Sequence, residues 1–176
     1  MRAFIAIFAF ILILAGVNWS IFQKEEQLAN GDIAYLKLRP VDPRSLMQGD
    51  YMALRFAIAD NVYAALPKNK NKHRRWRYNV DASDGYIVVA LDNKKRASYQ
   101  RLYTEETKLA ENELKIRYRV RNGHIKFATD AFFFQEGTAK VYEKAKYGQF
   151  RVDGNGELLL AALFDKELNR LLAEKK

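Results

Sequence analysis

The sequence predicts an α+β fold: a mainly antiparallel β sheet with one packed helix and a C-terminal helix, preceded by an N-terminal transmembrane helix. Three observations carry this. The chain opens on an unbroken apolar run, Ala3–Val17, closed by Asn18, Trp19, Ser20, Ile21 and Phe22. Most later segments alternate apolar and polar residues and are separated by turn dipeptides, the pattern of half-buried strands. Near the end the spacing switches to a helical period and then back.

Ala3–Phe22 is 20 residues. At ~1.5 Å per residue such a helix just spans a hydrocarbon core of ~30 Å. Trp19 stands where an interfacial aromatic would sit. A cleaved secretory signal is the competing reading, with Arg2 as its basic n-region, but no small-x-small cleavage site follows Gly16. The expected division is therefore a signal anchor over residues 1–24 and an exported domain over 25–176. Arg2 would stay in the cytoplasm, and the domain would stand in the periplasm or outside the cell, single-pass from the inner membrane.

The exported part has the size of one ordinary domain and no cysteine, so its core is expected to hold without disulfides. The formal net charge is +9. A basic domain beside a bilayer is drawn to anionic lipid or acidic envelope polymers, and an exported chain has no expected business with nucleic acid.

Ile33–Arg39 and Tyr51–Ile58 read as the first two strands. In the second, Met52, Leu54, Phe56 and Ile58 share one face. Asn61–Leu66 reads as a short helical turn stopped at Pro67. Gly85–Leu91 is nearly all apolar, as a central strand buried on both faces would be. Arg96–Tyr103 and Glu113–Arg121 alternate, and Asn122-Gly123 joins the latter to His124–Phe127 with the strongest short hairpin signal. Gly137–Tyr147 places Ala139, Tyr142 and Ala145 along a helical stripe. Phe150–Val152 and Glu157–Phe164 form a last hairpin, and Asp165–Lys176 reads as a helix with Leu168, Leu171 and Leu172 on one side.

The stretch VDPRSLMQGDYMALRF, Val41–Phe56, is built as a tight turn running into a strand: Pro43 fixes one φ, Gly49 admits φ > 0, and Asp50 can bond nearby amides. With FFFQEGTAKVYEKAKYGQFRVDGNGELLLAAL, Phe132–Leu163, it resembles the two signature blocks of the GDYXXLXY family of bacterial envelope proteins, whose biochemical role is not established. Phe56 stands where the family's closing tyrosine would be, which favours packing over chemistry there. Members are often found beside, or fused to, multi-pass membrane proteins, so the resemblance implies a multi-pass inner-membrane partner.

The motif positions are Asp42, Arg44, Gly49, Asp50, Tyr51, Leu54, Phe56, Glu136, Gly137 and Arg151. Asp50 and Glu136 would be the acid–base pair of a hydrolase if they converged, with Arg44 or Arg151 supplying positive charge. Turn and cap chemistry accounts for both carboxylates without catalysis, and that is the preferred reading. A nucleophile at Ser45 would need a neutral lysine, whereas Lys94-Lys95-Arg96 reads as a solvated turn. His73 and His124 lie in unrelated contexts, and no glycine-rich phosphate loop precedes a helix, so neither a metal nor another cofactor is expected. A basic run, Lys68, Lys70, Lys72, Arg74, Arg75 and Arg77 with Trp76 interleaved, is expected as an exposed loop that could hold an anionic lipid or envelope polymer. The alternative is a merely soluble loop.

Overall fold

The structure, a computed structural model, describes residues 2–39, 47–48, 51–69 and 80–173. Helix α1, Arg2–Asn30, is unbroken over 29 residues, about 43 Å at 1.5 Å per residue. Every side chain from Phe4 to Phe22 is exposed. Among the described residues this is the one helix long and apolar enough to cross a membrane. It continues past Lys24, so the expected division at 24/25 falls inside a continuous helix.

The remaining elements form three antiparallel sheets. One has the order β1-β9-β10, made of Asp32–Lys37, Tyr147–Val152 and Leu158–Phe164. The second, β2-β3-β8, comprises Met47–Gln48, Tyr51–Ala53 and Ala131–Phe133. The third, β5-β4-β6-β7, comprises Ala97–Leu102, Ser83–Leu91, Glu113–Arg121 and His124–Lys126. Two short helices complete the domain, α2 at Ile58–Ala65 and α3 at Ala139–Tyr142.

Local chemistry accounts for these elements. Asn122 and Gly123 both take positive φ, 52° and 74°, as the two-residue turn between β6 and β7 requires. α2 stops because Leu66, ahead of Pro67, is forced to an extended ψ of 147°. Ile87, Val88 and Val89 in the inner strand β4 are fully buried, as a strand covered on both faces must be. Three turns share one device, an aspartate whose carboxylate collects the amides that follow it: Asp92 from Lys94 and Arg96, Asp153 from Asn155 and Glu157, Asp165 from Glu167 and Asn169.

That device overturns one expectation, and strand pairing overturns others. The tail from Asp165 to Ala173 is not helical. Asp165 holds the amides of Glu167 and Asn169, Leu168 takes φ 66°, and Arg170 bridges back to Phe164. Local side-chain acceptors thus outcompete the helix that the leucine spacing suggested. The stripe Gly137–Tyr147 shortens to the four residues of α3, because Tyr147 already pairs with Lys37 in β9. Likewise the strand expected over Tyr51–Ile58 ends at Ala53, where the Leu54 amide turns to the Asp130 carbonyl at 2.7 Å. Its alternation survives in burial: Met52, Leu54, Phe56 and Ile58 are all in the core.

The sheets adjoin through single backbone bonds, Tyr35 to Lys95 at 2.9 Å and Arg117 to Gly156 at 2.8 Å. One contiguous cluster fills the space between them, with Leu36, Val62, Ile87, Ile116, Val120 and Phe150 fully buried. Phe56 lies edge-on to both Phe127 and Phe150, with ring centroids 5.8 and 5.5 Å away.

Candidate functional site

Two places in this fold gather polar groups, and both lie on β1. At its start α1 docks on the sheet. Gln27 is the buried polar side chain among the described residues, 5% exposed. Its amide donates to the Arg151 carbonyl at 3.1 Å and the Glu157 carbonyl at 2.7 Å, while its oxygen accepts from Lys24 at 3.0 Å. Arg151 donates from Nη1 to the Gly31 carbonyl at 3.0 Å. Gly31 leaves no room for a side chain: a Cβ there would stand 2.5 Å from the Gln27 carbonyl oxygen and 3.0 Å from that of Val152. Both polar atoms of the Gln27 amide are therefore bonded, and its nitrogen fixes the helix end on β9 and on the residue ahead of β10.

Beyond the other end of β1 lies a cleft of about 360 Å³. One wall is the exit of the motif strand, Leu54, Arg55 and Phe56; α2 supplies Ala59, Asp60 and Tyr63; the β6–β7 hairpin supplies His124, Ile125 and Lys126. Arg39 and Asp130 complete it. Arg39 pairs with Asp60 at 3.1 Å, and Lys126 pairs with Asp130. Lys68 sits 5.8 Å above the Tyr63 ring, bringing an ammonium to the lip.

Of the expected site residues, Asp42, Arg44, Gly49 and Asp50 lie outside the described residues. So do Lys70, Lys72, Arg74, Arg75, Trp76 and Arg77, and the acid–base pair of Asp50 with Glu136 is not placed. The two signature blocks do meet: Tyr51 pairs with Phe133 in the β3–β8 ladder, their rings 5.7 Å apart. Glu136 and Gly137 follow three and four residues later in an exposed turn, with Gly137 at φ 79°. The cap of α3 is Thr138, whose hydroxyl donates to the Gln135 carbonyl at 2.6 Å and makes no cap bond. Leu54 and Phe56 are core residues. Arg151 is engaged at the helix junction and not beside Tyr51.

The cleft and the junction were both missed in the sequence. Arg55 had a signal, an arginine on the outward face of the motif strand. Gln27 had none, since one glutamine in a polar helix end looks like any other. His124 and Lys126 reach α2 only through a fold that residue spacing does not encode.

The GDYXXLXY protein family matches residues 13–163 of the chain, from inside α1 to the end of β10. The chain belongs to the GDYXXLXY family. No curated protein and no solved structure matches it. In this GDYXXLXY protein the matched region joins the apolar helix, the motif strand and the closing hairpin, so the helix junction and the cleft both fall inside it.

Elsewhere the ionisable groups tie together strands of the β5-β4-β6-β7 sheet. Arg101 holds the Glu113 carboxyl at about 2, well below its ordinary 4.5, through two bonds of 2.6 and 2.8 Å, helped by the Ala110 amide. Arg121, with Arg117 behind it, lowers Asp84. Burial raises the Tyr118 phenol. Among the described residues no group of three or more His, Cys, Asp or Glu could hold a metal.

Proposed function

We propose that the protein is a single-pass, membrane-anchored exported domain that binds a partner instead of turning over a substrate. Its partner is a multi-pass protein of the same inner membrane. The observation that carries this reading is the form of α1: an exposed apolar span whose polar end is pinned to the sheet by Gln27, Gly31 and Arg151. A free secretory signal has no reason to be so tightly built into the domain. Phe133, 75% exposed and with its ring tilted against that of Tyr51, offers the partner an apolar contact beside the motif.

A C-terminal alkaline phosphatase fusion should be active in cells, and an inactive fusion would overturn export. A photo-crosslinking residue at position 133 should capture one multi-pass membrane protein in intact cells. Exclusive capture of lipid or cell-wall polymer would instead support a second reading, an anionic lipid or envelope-polymer module working through residues 68–77. Lys68 over Tyr63 supports that alternative, because it ties the start of the basic run to α2.

A further inference from the structure

The cleft beyond β1 carries an unbalanced charge. Leu38 and Phe56 form an isolated antiparallel bridge, with the Arg39 amide 2.7 Å from the Arg55 carbonyl and the Ala57 amide 2.9 Å from that of Lys37. In such a ladder Arg39 and Arg55 stand directly opposite, on the face away from the buried Leu38 and Phe56. Like charges placed opposite each other destabilise a strand pair. Asp60 neutralises Arg39 at 3.1 Å, and Lys126 has Asp130. Arg55 has no carboxylate among the described residues. The cleft thus sets three cations, Arg39, Arg55 and Lys126, against two carboxylates, with Lys68 at its lip.

We propose that this cleft binds a phosphate group, with Arg55 as the anchoring donor and Arg39 and Lys126 closing on it. A guanidinium presents two parallel N–H donors that match two phosphate oxygens, and Arg39, directly across the strand pair, lines the same cleft. The volume, about 360 Å³, suits a small molecule or the end of a polymer. Phe56 and Tyr63 supply an apolar wall for its carbon skeleton. The phosphate could belong to a soluble or polymer-borne ester or to a lipid headgroup. β1 decides between them: from Asp32 at the helix junction to Arg39 the extended chain covers roughly 20 Å at ~3.3 Å per residue. The cleft therefore stands well away from the point where α1 enters the domain, which favours the soluble or polymer-borne source. This inference goes beyond membrane anchoring and does not depend on it.

The test uses the full chain in a nonionic detergent, titrated with inorganic phosphate and with glycerol phosphate while backbone and arginine NMR signals are followed. Saturable shifts at Arg55, Arg39 and Lys126 are expected for both probes. Arg55→Gln should weaken binding at least tenfold without lowering the melting temperature, because the side chain is exposed, stands opposite Arg39 and has no carboxylate partner among the described residues. Lys140→Gln, on the exposed face of α3, should leave it unchanged. Equal affinity of Arg55→Gln and the parent, or no saturation by either probe, would overturn the site. Arg55-dependent binding to phosphatidylglycerol vesicles without any binding of glycerol phosphate would overturn the soluble source. Cleavage of the apolar helix in cells would defeat the anchored reading and leave these titrations untouched.

Discussion

Gln27→Ala should cost this protein more than any other single change on the polar end of α1. The amide of Gln27 makes two hydrogen bonds to carbonyls of the sheet, to Arg151 and Glu157. A buried bond of this kind contributes about 1 kcal/mol net, so the pair contributes about 2 kcal/mol. For a chain of this size that corresponds to a fall of roughly 4–8 °C in melting temperature. Gly31→Ala attacks the same junction from the other side, since its Cβ would meet backbone oxygens of Gln27 and Val152 that cannot swing away. The two changes share partners, so their effects should add to less than their sum in a double-mutant cycle. Asn30→Ala, which removes only an exposed bond to Glu26, is the comparison and should shift melting by less than a degree or so. Thermal unfolding of the detergent-solubilised chain, followed by near-ultraviolet circular dichroism, reads all of these. If Gln27→Ala and Gly31→Ala both melt within about a degree of the parent, α1 is not built into the domain, and the reasoning fails.

Other consequences follow from the same structure. Phe56→Ala removes a ring wedged edge-on between Phe127 and Phe150 and should cost about 3–5 kcal/mol by chemical denaturation; a loss below 1 kcal/mol would contradict the packing role of this position. Glu113 is held at about 2 in the folded chain and relaxes to its ordinary 4.5 when unfolded, so its contribution is complete above 4.5 and disappears as pH falls toward 2. Glu113→Gln should therefore flatten the acid side of the stability profile in that window, and an unchanged profile would refute the pairing with Arg101. Asp50→Asn should fold and function nearly as the parent does, because an amide oxygen accepts hydrogen bonds as a carboxylate oxygen does; a stable variant without cellular function would favour the hydrolase reading instead.

The parts of the fold governed by neighbours in sequence could be read in advance. Alternation placed Met52, Leu54, Phe56 and Ile58 in the core even where the strand itself ended early, because burial follows side-chain direction and not hydrogen bonding. Asn122-Gly123 fixed its hairpin through φ alone. The tail misled because Leu168, Leu171 and Leu172 have helical spacing, while a single carboxylate at Asp165 captures the amides that a helix would need. The candidate site was less legible still. Its arginines meet because Leu38 bridges Phe56, and its floor depends on the β6–β7 hairpin reaching α2. Contacts of that separation leave no periodic trace.

The proposed function of this chain requires that α1 stays attached and holds the domain at a membrane. Carbonate extraction of cell membranes, with the N-terminus of the extracted protein mapped by mass spectrometry, tests it most directly. The protein should remain in the membrane pellet with residues 4–22 intact. Release into the soluble fraction, with the chain beginning near residue 20, would contradict it.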